Sequence, residues 1–327
     1  MPATVNLRAL RPDDAPAVTS ILAEMERREP VDEAYDESEV IEEMASPAID
    51  LARGSVAVLD GDTLVAFGVL SISAPAATWK ASLWGGVHPD HTHRGIGRRV
   101  IDRLVECARK IRDTDDPGAP GELKIWVETN RPGTGVVGAQ AGFETWRYFL
   151  RMRRDLGQPV DQIPAPDGLL IRPYRDADDG AVRTVSNESF ADHWGSAPMD
   201  AARWRAEFAD STSFRPDQSF VALTRPDTES DTDRRVVGFL LTSEFRGDCE
   251  HRGYRTGYIA RVGTSRAARG RGVASALLAR TLTGLAESGY RFAELGVDAD
   301  SPTGAGRLYE RSGFRAFTNS RVLGRHF

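Results

Sequence analysis

The apolar residues of the first half come in short runs separated by glycine, proline and acidic turns. Residues 54–72 predict two strands around the turn Asp60-Gly61, and residues 82–88 predict the strand before a glycine-rich loop. Residues 96–112 predict a helix after that loop, and the run LKIWVET is strongly β-prone. The first half therefore alternates between strands and helices.

The second half predicts a similar order of elements. In chain order these are strands 219–224, 235–245 and 256–264, helix 272–288, a strand over RFAELGVD, and the short helix 302–312. Mixed strands and helices with a strand–loop–helix crossing indicate an α/β fold built on a mixed α+β sheet.

The order of elements repeats because the sequence itself repeats. Each half begins with a short predicted strand, followed by an acidic turn suited to capping a helix. When the second half is shifted by 164 positions, the matched pairs are Arg8 and Arg172, Arg11 and Arg175, Asp14 and Asp178, Val18 and Val182. Further on, HRGIGRRVIDRLVECAR matches GRGVASALLARTLTGLA, and Gly142-Phe143 matches Gly313-Phe314. Three matches in the same order predict a duplicated domain.

The segment 155–168 contains three prolines and has neither helical nor strand periodicity. We interpret it as a linker between a domain at 1–154 and a domain at 169–327. A chain of 327 residues is long enough for about two domains of roughly 150 residues.

The composition restricts which binding partners and which cellular compartment we expect for this protein. The net charge of −6 argues against nucleic acid, and no window approaches the ~20 apolar residues of a membrane span. The N-terminus lacks a signal-peptide pattern, and Cys107 and Cys249 form no motif, so we expect a cytoplasmic protein. Arginine supplies almost all basic residues, which indicates a GC-rich, bacterial source.

The stretch VHPDHTHRGIG allows two interpretations. His88, His91 and His93 are close enough to suggest a metal site, whereas the following glycines suggest a loop that binds phosphate. The matching stretch of the second half, VGTSRAARGRGVA, has no histidine but keeps the glycines between a strand and a helix. We therefore expect no metal and favour a pyrophosphate-binding loop, because backbone N–H groups at a helix N-terminus bind anions.

A tight structural turn is the alternative interpretation of these glycines. A dinucleotide-binding fingerprint and a Walker loop are both excluded, since the third glycine and the Lys-Ser or Lys-Thr pair are missing.

The second half resembles the GNAT acetyltransferase superfamily. The resemblance lies in a strand, the loop Arg269-Gly270-Arg271-Gly272-Val273-Ala274, an apolar helix, and the run VDADSPTGAGRLYERSGF. The first half resembles the same superfamily through Gly95-Ile96-Gly97, VETN and Gly142-Phe143, although Thr92 replaces the Arg or Gln that normally opens the loop.

This resemblance implies two tandem GNAT-like domains and acetyl transfer from acetyl-CoA to an amine. It implies that the strand before the loop holds the pantetheine arm by its backbone and that the loop holds the pyrophosphate. The implied cofactor residues are Arg261, Val262, Gly263, Thr264, the loop 269–274 (Arg269, Gly270, Arg271, Gly272, Val273, Ala274), and Ser301, where an Asn is common. A second cofactor site in the first half would use Val87, Arg94, Gly95, Ile96, Gly97 and Asn130.

The resemblance also implies a general acid. Family members place a tyrosine one turn before the Gly-Phe pair, where its phenol protonates the leaving sulfur, and Tyr309 occupies that place. The alternative is a core tyrosine on an amphipathic helix. Gly138 is the first-half counterpart and cannot donate a proton, so we predict a catalytic second half and a degenerate first half.

The general base is less clear from the sequence. Tandem relatives use a carboxylate on the strand before the loop, acting through water, but Tyr258 occupies that position here. Glu244 and Asp298, each at a strand end, are the candidates to replace it, and both are equally interpretable as exposed charges.

The resemblance places the acceptor against the first helices of the second half. Glu188, His193, Trp194 and Trp204 could bind a cation or stack on a ring, or the aromatic residues could pack on the sheet. We expect a monomer that acetylates the primary amine of a small molecule. An antibiotic-modifying acetyltransferase and a non-catalytic acyl-CoA sensor are the competing hypotheses.

Overall fold

The computed structural model describes residues 5–73, 77–191, 193–224, 234–301 and 304–327. The chain forms two compact units. Unit 1 comprises residues 1–149, 246–251 and 319–327, and unit 2 comprises residues 150–245 and 252–318.

Unit 1 takes most of its elements from the first half. In chain order its strands and helices are β1 (Asn6–Arg8), α1 (Ala15–Arg28), α2 (Glu37–Met44), α3 (Leu51–Gly54), β2 (Ser55–Asp60), β3 (Thr63–Ile72), β4 (Trp79–Val87), α4 (Ile96–Asp115), β5 (Gly121–Glu128) and α5 (Pro132–Gln140). Strand β6 (Glu144–Asp155) begins in unit 1 and ends in unit 2.

The elements of the second half follow the same plan. They are β7 (Leu169–Pro173), α6 (Asp179–Phe190), α7 (Ala201–Trp204), β8 (Phe220–Thr224), β9 (Val236–Ser243), α8 (Arg246–Arg252), β10 (Thr256–Thr264), α9 (Val273–Glu287), β11 (Phe292–Asp298), α10 (Ala305–Arg311) and β12 (Arg315–His326). Helix α8 lies mostly in unit 1, and β12 begins in unit 2 and ends in unit 1.

The two units have equivalent sheets. Unit 1 has the strand order β1-β2-β3-β4-β5-β12, and unit 2 has β7-β8-β9-β10-β11-β6. In each unit one neighbouring pair is parallel, β4 with β5 and β10 with β11, while β1 to β4 and β7 to β10 are antiparallel. The predicted mixed α/β fold and its duplication are confirmed.

Helices cover both faces of each sheet. In unit 1, α4 packs its apolar side on one face with β3 to β5, and α1 and α2 pack on the other face. In unit 2, α9 and α10 pack on one face, and α6 and α7 pack on the other. Each unit therefore has two apolar layers around a central sheet.

The repeated acidic turn has the same geometry in both units. The guanidinium of Arg8 donates two hydrogen bonds of 2.7 Å to Asp14, and Arg172 donates two of 2.7 Å to Asp178. The prediction that these acids cap the helices is wrong in detail. Asp14 accepts the backbone N–H of Arg11 and so caps the 3₁₀ turn before α1, while its side chain makes no cap hydrogen bond to α1 itself.

The sequence pattern located the central elements well. The strand predicted at 256–264 is β10, and the helix predicted at 272–288 is α9. The helix predicted at 302–312 is observed as α10 from Ala305, and residues 302 and 303 lie outside the described residues. Within the described ranges, no helix combines the length and hydrophobicity that a bilayer crossing requires.

Candidate active site

An opening between two parallel strands is the central feature of unit 2. Strand β10 pairs with β11 only from Thr256 to Tyr258, although β10 continues to Thr264 and β11 to Asp298. Beyond Tyr258 the two strands therefore no longer pair through backbone hydrogen bonds. Unit 1 has the same opening, since the pairing of β4 with β5 ends at Leu83.

An irregularity in β10 divides its side chains between the two faces. The register with β9 shifts between Ile259 and Arg261. Ile259 and Val262 pack in the layer of α9, whereas Ala260 packs in the layer of α6. The backbone of this part of β10 therefore faces the opening, and the Arg261 side chain extends towards α6.

The loop after β10 has an anion-binding conformation. Gly272 is the N-cap of α9 with φ of 83°, and Gly270 has φ of 75°. A Cβ atom at either glycine would meet no atom within 4 Å, so both face open space. The first N–H groups of α9 have no intrahelical partner, and the helix dipole favours an anion there.

The loop of unit 1 repeats this backbone conformation. Gly95 is the N-cap of α4 with φ of 76°, and His93 has φ of 61°. Gly95 therefore corresponds to Gly272, and His93 corresponds to Gly270. Because His93 is not a glycine, its left-handed conformation is less favourable than that of Gly270.

The arginines of the two loops differ in their surroundings. In unit 2, Arg269 donates to the carbonyl of Ser189 at 3.3 Å, and Arg271 donates to the carbonyl of Asp167 at 2.8 Å. In unit 1, the guanidinium of Arg94 lies 3.8 Å from the carboxylate of Asp60. The positive charge of Arg94 is therefore partly offset by Asp60, whereas the contacts of Arg269 and Arg271 are with neutral carbonyl oxygens.

Tyr309 lies in the apolar layer that α9 and α10 form on one face of the sheet. Its side chain is 7% exposed and packs beside Phe314, with 6.0 Å between the ring centroids. Burial, with a smaller contribution from the neighbouring Tyr258, raises the pKa of Tyr309 to about 12. The phenol therefore keeps its proton at neutral pH, as a proton donor must.

Unit 1 has Gly138 at the position that matches Tyr309. A Cβ atom at Gly138 would lie 2.8 Å from a methyl carbon at the end of the Leu323 side chain, a residue of β12. A side chain at this position would therefore require Leu323 to shift.

Tyr258 lies where β10 and β11 begin to separate. Its register partner on β11 is Glu294, and a Cβ atom on Gly296 would lie 3.3 Å from the Tyr258 hydroxyl. The phenol thus reaches across towards β11 at the closed end of the opening. The matching carboxylate of tandem relatives is replaced by a hydroxyl group.

Glu244 has a structural environment that the sequence did not indicate. It is 8% exposed and accepts hydrogen bonds from Arg215 at 2.8 Å, Arg255 at 2.7 Å and Tyr290 at 2.7 Å. Burial alone would raise the pKa of Glu244, but these hydrogen bonds outweigh it and lower the pKa to about 2. So acidic a carboxylate is a poor proton acceptor near neutral pH, and Glu244 is not an exposed charge.

Glu244→Gln is expected to lower the free energy of unfolding by about 2 kcal/mol at pH 7, because it breaks a buried ionic cluster. The folded-state pKa is lowered, so this stabilisation is complete above the unfolded pKa of about 4.3 and disappears as pH falls towards 2. Denaturant unfolding of both proteins at several pH values tests this, with exposed Glu287→Gln as the control. A difference that persists undiminished at pH 2 would contradict it.

Asp298, the other candidate base, is 4% exposed at the end of β11, so it is not an exposed charge either. Its carboxylate accepts the backbone N–H of Asp300 at 2.9 Å, and its carbonyl accepts the N–H of Ser301 at 3.1 Å. Asp298 and Ser301 therefore shape the turn after β11. The cofactor role predicted for Ser301 stays a prediction.

The predicted acceptor residues have different environments. Glu188 accepts the backbone N–H of Arg266 at 2.8 Å, and the ring of half-buried His193 packs on Phe190 at 5.4 Å. Trp194 is half-buried. Trp204 is 1% exposed and donates to Asp179 at 2.5 Å, so an acceptor-binding role for Trp204 is wrong and it belongs to the core.

The first-half cofactor residues are also placed by the structure. Val87 packs on the unit 1 core, and the amide of Asn130 donates to the carbonyl of Pro30 at 3.3 Å. Next to Asn130, Arg131 donates to the buried carboxylate of Glu26 at 2.6 Å. The loop after β5 is thereby attached to the end of α1.

The three histidines of the first half do not form a cluster. The rings of His88 and His91 meet edge to face at 5.8 Å, and the Nδ1 atom of His88 accepts the N–H of Asp90 at 3.3 Å. In the part of the chain that the structure describes, no three His, Cys, Asp or Glu residues are grouped as metal ligands.

Sequence reasoning missed Arg154, which fixes the end of α10. Arg154 is 8% exposed, donates to the carbonyl of Ser312 at the C-cap, and donates to the carbonyl of Pro159 at 2.6 Å. A Cβ atom on Gly313 would collide with this guanidinium. The Gly-Phe pair was a visible signal in the sequence, but the arginine lies 158 positions away.

Comparison with known proteins identifies the family of this chain. The model of the acetyltransferase (GNAT) family matches residues 16–114 and 181–314, one region in each half. A mycothiol acetyltransferase of Salinispora tropica is 30% identical over 261 residues, covering 77% of this chain and 75% of that protein. A mycothiol acetyltransferase of Kytococcus sedentarius is 28% identical over 314 residues, covering 93% and 92%.

Solved structures show the same tandem arrangement. A GCN5-related N-acetyltransferase from Sphaerobacter thermophilus matches with a TM-score of 0.74 and 25% identity, over 100% of this chain and 96% of that one. A tandem GNAT protein of the clavulanic acid pathway has a TM-score of 0.70 at 17% identity, over 98% of each chain, and supports the fold alone. The chain is therefore an acetyl-CoA-dependent acyltransferase that belongs to the acetyltransferase (GNAT) family and carries its fold in both halves.

Proposed function

We propose that unit 2 transfers the acetyl group of acetyl-CoA to the primary amine of a small molecule, with Tyr309 as the general acid. The observation that carries this proposal is the buried phenol of Tyr309, which is near enough to Tyr258, the last β10 residue paired with β11, to interact with it electrostatically. Its proton is retained because burial raises its pKa to about 12.

Different residues of unit 2 have different roles in the proposed acetyl transfer. The backbone from Arg261 to Thr264 lines the opening and is suited to the pantetheine arm, and the N–H groups around Gly272 are suited to the pyrophosphate. The amine nitrogen bonds to the acetyl carbon while the carbon–sulfur bond breaks, and Tyr309 supplies a proton to the sulfur. The amine loses a proton to solvent, directly or through water.

Neither carboxylate expected from the sequence is well suited to act as the base. Glu244 is held by two arginines and a tyrosine, which lower its pKa, and the carboxylate of Asp298 accepts the N–H of Asp300 in the turn after β11. We therefore expect amines of low pKa to be the better acceptors, because a larger fraction of each is neutral and able to attack without a base.

Two proteins similar to this chain are named mycothiol acetyltransferases, which favours the amine of the mycothiol precursor as one candidate acceptor. The test is the release of free CoA thiol with a panel of that precursor, simple amines and amine antibiotics. Acetyl transfer to at least one of these amines supports the proposal. Binding of acetyl-CoA without transfer to any amine would contradict it and favour a sensor.

Arg154→Met is expected to lower kcat for acetyl transfer at least about tenfold, because the C-cap of α10 sets the position of Tyr309. Arg325→Met is the matched control, since Arg325 donates to the carbonyl of Ala141 at 2.6 Å and so caps α5 in unit 1. Both variants should lose about 1–3 kcal/mol of stability. Equal kcat values in the two variants would show that Arg154 does not position Tyr309.

A further inference from the structure

Arg261 presents a fixed guanidinium on the α6 side of β10. Its Nε donates to the Oγ of Ser186 at 2.7 Å, and the guanidinium carbon lies 4.1 Å from the ring centroid of Phe190. Ser186 is fully buried on α6. One edge and one face of the guanidinium are thereby occupied, and among the described residues the terminal NH₂ groups have no hydrogen-bond partner.

Arg261 lies on the part of β10 that borders the opening. It lies three residues after Tyr258, in the part of β10 that no longer pairs with β11. Its side chain lies in the layer of α6, whereas the anion-binding loop leads into α9 on the opposite face. A group bound at Arg261 would therefore approach the opening from the face away from α9 and α10.

Two further charged residues, Arg203 in α7 and Glu207 in the turn that follows it, influence the charge of Arg261. Glu207 and Arg203 both act electrostatically on Arg261, the carboxylate favouring its charge and the second guanidinium opposing it. No direct ion pair joins any two of these three residues among those that the structure describes. The three charges therefore influence one another without direct contact.

The backbone at Glu207 is also unusual. Residues Arg205–Ala209 form a π-helical turn that continues α7. Such turns are rare and occur frequently at functional sites. Glu207 is an exposed residue, yet desolvation by the surrounding protein raises the pKa of its carboxyl group.

We propose that Arg261 forms an acceptor subsite for a molecule that carries a carboxylate beside its amine. The carboxylate binds the free NH₂ edge of the Arg261 guanidinium, whose orientation is fixed by Ser186 and Phe190. This inference rests on the proposed function and names its substrate class as amino acids or amino-acid-like amines.

The test compares free amino acids with their primary amides, with CoA thiol release as the readout. Each rate is divided by the neutral fraction of the amine, because the two classes differ in amine pKa. With the wild-type protein we expect kcat/KM at least about tenfold higher for the free acids than for the amides. Arg261→Met should remove this preference by raising KM for the acids more than KM for the amides. Ser186→Ala, which removes only the bond that orients Arg261, should reduce the preference in the same direction and keeps the test valid if Arg261→Met fails to fold.

Arg205→Met is the matched control, since Arg205 lies on the same turn but pairs with Asp210 at 2.7 Å. It should leave the preference intact. Equal rates for acids and amides, or a preference that survives Arg261→Met, would overturn the subsite while leaving the acetyltransferase proposal standing. Absence of transfer to every amine would instead be a failure of the proposed function.

Discussion

Replacement of Tyr309 by phenylalanine is expected to lower kcat for acetyl transfer by about 10²–10⁴-fold. The change removes one hydroxyl from a side chain that is 7% exposed and leaves the ring and its contact with Phe314 in place. The leaving sulfur would then have to depart without a proton from the protein. Affinity for acetyl-CoA should be almost unchanged, because the loop around Gly272 and the backbone of β10 carry the binding.

Steady-state kinetics and a separate binding titration of the same variant test this expectation. Tyr254→Phe is the matched control, since Tyr254 packs beside Phe292 at the other end of the parallel strand pair. In the wild-type protein, Tyr309 ionisation should cause no loss of kcat below about pH 10, because its pKa is raised to about 12. A wild-type rate in Tyr309→Phe would exclude Tyr309 as the general acid.

Replacement of Gly272 by alanine is expected to weaken acetyl-CoA binding about tenfold. Gly272 has φ of 83°, a left-handed conformation that costs a residue with a Cβ atom about 1–2 kcal/mol. The added methyl group would also lie in the open space where the loop faces its ligand, since no protein atom lies within 4 Å. If the loop relaxes to relieve the backbone strain or to make room for the methyl group, the N–H groups proposed to bind the pyrophosphate will move.

Gly95→Ala provides a close control for this experiment. Gly95 is the N-cap of the equivalent helix with φ of 76°, and it also has no atom within 4 Å of an added Cβ. The two substitutions therefore impose the same backbone strain in the two units. If Gly95→Ala weakens acetyl-CoA binding and Gly272→Ala does not, the assignment of the cofactor site to unit 2 is wrong.

Local patterns were sufficient for the parts of the site that are contiguous in the sequence. The strand at 256–264, the glycine-rich loop and the helix after it were all predicted, because each is specified by neighbouring residues. The family resemblance then identified Tyr309 from its spacing to Gly313-Phe314.

The parts that sequence reasoning missed depend on residues far apart in the chain. Glu244 is bonded by Arg215 and Arg255, which lie 29 and 11 positions away, so nothing local distinguishes it from an exposed strand-end carboxylate. The packing of Leu323 against Gly138 is also invisible without the fold, because β12 joins the sheet of unit 1 from the far end of the chain. Local sequence does not record which side chains tertiary packing brings together.

Calorimetric titration of the wild-type protein with acetyl-CoA tests the central claim, that unit 2 is the working acetyltransferase site, most directly. The account predicts one binding site per chain, lost or weakened in Gly272→Ala and retained in Gly95→Ala. Two sites of similar affinity would contradict the view that unit 1 is degenerate. A protein that binds no acetyl-CoA at all would contradict the function proposed for this chain.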